Sequence, residues 1–123
     1  MKKQISTEKA PAAIGPYSQA ILCGDTLFVS GQIPFTPDGK KPEGIEGEAR
    51  QSLENVKSIL EEAGFSLEDV VMVQAYLINP DDFEKFNSVY SEYFSSKPAR
   101  TTVFVKALPK NSLVEISVIA KKC

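Results

Sequence analysis

The spacing of hydrophobic positions along this chain switches between two and three-to-four, and the switches mark its elements. Lys2 to Ser6 is short enough for one small opening strand. Two apolar runs follow, Ala20 to Cys23 and Leu27 to Ser30, on either side of Gly24-Asp25-Thr26. That pattern predicts a hairpin with a tight Gly-Asp turn. From Gly47 to Ala63 the period lengthens: Ala49, Leu53, Val56, Leu60 and Ala63 form one face of a helix, and Gly64 supplies its stop. Arg50, Glu54, Lys57, Glu61 and Glu62 decorate the solvated side of that helix.

Val70 to Ile78 is nearly all apolar. It predicts a central strand, covered on both faces or on one face by a neighbouring subunit. A second helix starts at Pro80-Asp81-Asp82, with a proline in its first turn and acids at the positive end of its dipole. Phe83, Phe86, Tyr90, Tyr93 and Phe94 make its apolar stripe, which reads as core packing against the sheet. Lys97-Pro98 ends it. Two strands close the chain, related as a hairpin or a crossover. In the first, Arg100, Thr102 and Phe104 alternate with Thr101, Val103 and Val105. In the second, Val114, Ile116, Val118 and Ala120 share a face, opposite Glu115, Ser117 and Ile119.

The order is βββαβαββ, without repeats or low-complexity segments. It predicts an α+β domain over residues 1–123: a mixed β-sheet with two helices packed on one face. The other face then needs a cover, and a second subunit is the obvious one.

Composition narrows the chemistry. A net charge of −2 and a pI of about 5.2 give no electrostatic grip on nucleic acid. With no histidine, Ser-His-Asp and Cys-His catalysis and histidine metal ligation are excluded. The glycines at 15, 24, 31, 39, 44, 47 and 64 fit neither a phosphate loop nor a dinucleotide fingerprint. There is no Cys-x-x-Cys, so no zinc site is expected. No metal and no cofactor are expected. The two cysteines, Cys23 and Cys123, suggest no disulfide framework and hence a reducing, cytoplasmic compartment. Cys23 reads as a small core or strand-end residue. Lys2-Lys3 is not followed by an apolar signal region, and no run is long enough to span a membrane.

Taken one at a time, the polar candidates have ordinary readings. Tyr17, after the Lys9-to-Pro16 loop, suits a half-buried aromatic with a satisfied hydroxyl. Gly31 suits a turn, or a close approach of backbone to something bound. Asn87 sits one position off the helical stripe, at the surface or at the edge of a pocket. Arg100 and Glu115 stand out because charged residues are depleted in strands. A guanidinium fork there can hold a small carboxylate through two parallel hydrogen bonds.

Together these segments carry a resemblance. Pro98-Ala99-Arg100-Thr101-Thr102, Glu115-Ile116, Gly15-Pro16-Tyr17-Ser18-Gln19-Ala20, Ser30-Gly31-Gln32-Ile33-Pro34 and Asn87 resemble, in order and across essentially the whole chain, the signature of the reactive-intermediate deaminases, the Rid or YjgF-type family. The resemblance implies a chorismate-mutase-like fold assembled as a homotrimer with sites between subunits. It implies hydrolysis of 2-imino acids, 2-iminobutanoate and 2-iminopropanoate (with its tautomer 2-aminoacrylate), to 2-keto acids and ammonia. The implied pocket combines Tyr17, Ser30, Gly31, Asn87, Arg100, Thr102 and Glu115, with Arg100 as carboxylate anchor. Many relatives carry cysteine where this chain has Thr102, so no thiol acts there. In the mechanism we expect, Glu115, with help from Thr102, handles the water, and Ser30 and Tyr17 hold the imine nitrogen.

Two further readings compete. The same arginine pocket can serve a non-enzymatic module that binds keto or amino acids or acts on protein partners. RNA cleavage, ascribed to some relatives, is the third, and the acidic pI and missing histidine weigh against it.

Overall fold

The computed structural model describes residues 1–123. Its strands are β1 (Lys2–Ile5), β2 (Ala20–Cys23), β3 (Thr26–Gln32), β4 (Val70–Leu77), β5 (Ala99–Phe104) and β6 (Val114–Lys121), with helices α1 (Gly44–Glu62) and α2 (Phe83–Tyr93) between them. The order along the chain is the expected βββαβαββ. In the sheet the strands lie β1-β2-β3-β6-β4-β5, antiparallel except for the parallel pair β4 and β5. The last two strands are therefore a crossover: β6 inserts between β3 and β4, and β5 is left at the edge.

The β2–β3 turn falls on Gly24-Asp25, where Gly24 adopts φ 62°. Helix α1 begins three residues before the expected Gly47, at Gly44. The extra turn extends the apolar stripe one step back, so that Ile45 packs in line with Ala49, Leu53, Val56 and Leu60. The stop at Gly64 holds: its φ is 81°, and Phe65 N–H bonds back to the Leu60 carbonyl at 2.9 Å. Helix α2 is preceded by a 3-10 turn over Pro80–Asp82, capped by Asn79, whose Oδ1 accepts the Asp81 N–H at 2.9 Å.

The core lies between the helices and one face of the sheet. Val73, Ala75 and Leu77 of β4 meet Val114, Ile116, Val118 and Ala120 of β6, with Leu27 and Val29 of β3 alongside. Central strand β4 is covered on that face alone within the chain. The reverse face carries a cross-strand row of Ile21, Phe28, Ile119 and Met72, with Tyr76 and Val103 beside it. Phe28 is 46% exposed and Val103 39% exposed on that face. No helix is long and apolar enough to cross a membrane.

Two polar residues of α1 are buried for a structural reason that its helical period concealed. Asn55 donates through Nδ2 to the carbonyls of Ile33 and Phe35, at 3.2 and 2.9 Å, and pins the proline-rich loop that follows β3. Glu48 accepts the Leu113 N–H at 2.7 Å and pairs with Lys41 at 3.4 Å, tying α1 to the segment leading into β6. Buried polar groups persist where such partners exist.

Candidate functional site

Strand alternation decides the site. Arg100 lies beside Val73 and Val118 in the cross-strand register, on the helix-bearing face; Glu115 lies beside Tyr76 and Val103, on the reverse face. The sheet separates the guanidinium from the carboxylate. The expected site residues therefore fall into two clusters.

The first cluster surrounds Arg100. Its Nη1 donates to Asn87 Oδ1 at 2.9 Å. Its guanidinium carbon stands 4.6 Å from the Tyr90 ring centroid, 5.7 Å from Phe86 and 5.8 Å from Phe83. The aromatic stripe of α2 is thus more than core packing. It also holds the arginine by cation–π contact, while Tyr90 packs at a tilt against Phe86 and Phe94. Asn87 reaches the arginine because it sits beside the stripe on the same helix. No carboxylate of the chain pairs with Arg100. Two neighbouring hydroxyls are also spare: Tyr90 Oη and Thr102 Oγ1 are buried without a hydrogen-bond partner. Burial pushes the Tyr90 hydroxyl up, and the Arg100 cation opposes that shift. A fixed cation with open donor positions can accept a small anion.

The second cluster surrounds Glu115. Strand β3 breaks register with β6 between Val29 and Gln32, so Ser30 and Gly31 form a bulge. Ser30 is held by its N–H on the Gln19 carbonyl at 2.9 Å and by its Oγ on the Ser18 carbonyl at 2.6 Å. Gly31 matters here by contact rather than by backbone angle. A Cβ there would run into Glu115 Oε2 and stand 2.7 Å from its Cδ. The carboxylate therefore lies directly on the Gly31 backbone. Burial pushes the Glu115 carboxyl above its ordinary value, and no cation counters the shift. Tyr17, Ser30, Gly31 and Glu115 line one cavity of about 760 Å³, with Phe35 and Lys110 on its wall. Tyr17 is 54% exposed, more open than the half-buried aromatic its sequence position suggests. The loop before it is held by buried Gln19, whose amide accepts the Thr7 N–H at 2.7 Å and donates to the Pro11 carbonyl at 2.7 Å.

Sequence reasoning missed Tyr90 and Phe86 as partners of Arg100, and Phe35 and Lys110 as cavity wall. The aromatic spacing along α2 signalled the first pair; nothing local signalled the second. Cys23 ends β2 in an exposed position, and Cys123 is exposed at the chain end. No group of His, Cys, Asp or Glu residues is arranged to hold a metal ion.

The chain is similar to known proteins over nearly its whole length. The family model described as Endoribonuclease L-PSP matches residues 7–122. A RutC family protein of Pyrococcus horikoshii is 55% identical, covering 99% of both chains. A 2-iminobutanoate/2-iminopropanoate deaminase of Bos taurus is 47% identical over 98% of this chain and 90% of its own. The crystal structure of E. coli TdcF with bound serine superimposes with a TM-score of 0.95 at 40% identity, covering 98% of this chain and 99% of that one.

Proposed function

The chain belongs to the YjgF-type Rid family, also described as Endoribonuclease L-PSP, and from that premise we propose that it hydrolyses small 2-imino acids to 2-keto acids and ammonia. The observation that carries the reading is Arg100: held by Asn87 and three aromatic rings, it has no carboxylate of its own chain to bind. The carboxylate of a 2-imino acid supplies that partner. The deaminase name of the cattle relative supports the choice of substrate, 2-iminobutanoate or 2-iminopropanoate.

The two clusters do not meet within one chain, so the complete site forms where the Arg100 cluster of one copy faces the Glu115 cavity of the next. These are different patches, and contact between different patches builds a cyclic ring where its rotation closes. A homotrimer is such a ring, and the apolar reverse face of the sheet gives it a surface to bury. Its unpaired cysteines suit a reducing, cytoplasmic compartment.

In the mechanism, Arg100 binds the substrate carboxylate bidentately and fixes the imine carbon over the Glu115 cavity. Glu115, as carboxylate, takes a proton from one water as its oxygen bonds to that carbon. The imine nitrogen gains the proton, passing through a carbinolamine. The carbon–nitrogen bond then breaks, ammonia leaves, and the carbonyl of the keto acid forms. Tyr17 and Ser30 hydrogen-bond the nitrogen. Thr102, beside Arg100, has its hydroxyl free for the substrate or the water. The iminium carbon is already electrophilic, so positioning supplies most of what is needed, up to roughly 7–11 kcal/mol in the best intramolecular cases. No step calls for a metal or a cofactor.

A second reading, a module that binds small carboxylates without turning them over, draws on the bound serine of TdcF. A coupled assay separates the two. A threonine or serine dehydratase generates the imine in situ, and keto-acid formation is followed with and without this protein. Acceleration by the wild type and not by Arg100→Ala supports hydrolysis; tight keto-acid binding without acceleration supports the binding module. RNA cleavage, suggested by the family's description, has neither a histidine nor a basic net charge to draw on.

A further inference from the structure

Lys110 stands on the wall of the cavity that holds Glu115, and the mechanism above makes no use of it. Its backbone is left-handed, at φ 54° and ψ 38°, and Asn111 follows at φ 56°. Two successive non-glycine residues persist in that region only where their surroundings hold them. Here three side chains do so. Lys41 Nζ donates to the Asn111 carbonyl at 3.1 Å, and Ser112 Oγ donates to the Pro109 carbonyl at 2.7 Å. Buried Glu48 receives the Leu113 N–H at 2.7 Å and engages Lys41 at 3.4 Å, closing the clamp from the helix side.

The clamped turn lines the cavity with Pro109 and one charged side chain, Lys110. The Lys110 ammonium lies 5.3 Å from the Phe35 ring centroid, and it forms no ion pair. The only other ionisable wall groups are Glu115 and the Tyr17 phenol. An anionic substrate entering a cavity whose base is a carboxylate meets repulsion, and a cation on the same wall offsets it.

We infer that Lys110 is the substrate-capture residue of this site, drawing small anionic 2-imino and 2-keto acids into the Glu115 cavity before Arg100 anchors them. The inference rests on the proposed reading that this cavity receives such acids. Lys110 acts on capture and not on the chemical step, so its loss raises KM and leaves kcat in place.

The test uses the full chain as Lys110→Met, which keeps an unbranched side chain of similar length and removes the charge, and as Lys110→Arg. Two readouts are taken: steady-state imine hydrolysis in the dehydratase-coupled assay, and calorimetric titration with 2-ketobutyrate as a non-reacting probe. Expected for Lys110→Met is a KM and a 2-ketobutyrate Kd each raised about tenfold, kcat within about twofold, and a flattened salt dependence of kcat/KM. Lys110→Arg restores both constants. Unchanged KM and Kd, a fall in kcat at constant KM, or no 2-ketobutyrate binding by the wild type overturns the inference. If the wild type binds 2-ketobutyrate in a Lys110-dependent way yet hydrolyses no imine, the capture role stands and the deaminase reading fails.

Discussion

Arg100 and Glu115 occupy opposite faces of one sheet, Arg100 against α2 and Glu115 against the Gly31 bulge. The proposed site therefore takes one of them from each of two chains. Mixing two inactive variants tests this directly. Arg100→Ala and Glu115→Gln chains, unfolded together and refolded as mixed rings, should recover roughly a quarter of wild-type activity, the statistical share of sites that draw each residue from an intact parent. Either variant refolded alone should stay inactive. A mixture as dead as its parents would rule out a shared site.

Arg100→Ala alone should lower kcat/KM at least about a thousandfold, since the anchor and its geometry go together. Arg100→Lys should recover little, because an ammonium cannot make the forked contact or lie flat on Tyr90. Thermal melting should show both variants folded: Arg100 is only part-buried and lies on the edge strand β5.

Glu115 gives a signed pH prediction. Burial raises its carboxyl above the ordinary value, so the folded state favours the protonated form and is destabilised once the group ionises. Stability from this group is present at low pH and is lost as pH rises through the raised value. Glu115→Gln should therefore melt higher than wild type at neutral pH, and the gap should close below the unfolded carboxylate range. Activity runs the other way. If ionised Glu115 is the base, kcat/KM should fall on acidification through that same raised value. Glu115→Gln should lose about 10²–10⁴ in kcat, with the acid limb gone from the profile.

Gly31→Ala tests the contact between bulge and base. The added Cβ meets the Glu115 carboxylate, which has to swing away from the Gly31 backbone. Turnover should fall about tenfold to a hundredfold. A double-mutant cycle with Glu115→Ala is decisive for the cause: in that background the alanine at 31 should cost almost nothing further. Additive losses would mean that Gly31 matters for another reason.

Asn55→Ala probes the support of the site from behind. It strips two carbonyls, those of Ile33 and Phe35, of their donor and should cost about 1–3 kcal/mol, read as a fall in the chemical-denaturation midpoint. Because Phe35 lines the Glu115 cavity, KM should also rise, while Gln51→Ala, which removes only a partner of the Asn55 side chain, should do much less.

Much of this protein was legible along the chain. Periods of two and of three-to-four are local properties of backbone geometry, so the order βββαβαββ, the alternation that separates Arg100 from its strand neighbours, and the stop at Gly64 could all be read from residue spacing. The separate motifs carrying Tyr17, Ser30, Gly31, Asn87, Arg100, Thr102 and Glu115 were legible too, through the family resemblance. Strand order was not, because pairing depends on long-range contacts that no local period encodes. Only the fold put β6 between β3 and β4, and that insertion sets Glu115 over Gly31. The same holds for Asn55 and Glu48. A polar residue on a helix looks solvated until tertiary packing buries it against a loop some 20 or 65 positions away. What the tertiary structure decided above all is that guanidinium and carboxylate, both visible in the sequence, face away from each other across one sheet, which is why the proposed site draws on two copies of the chain.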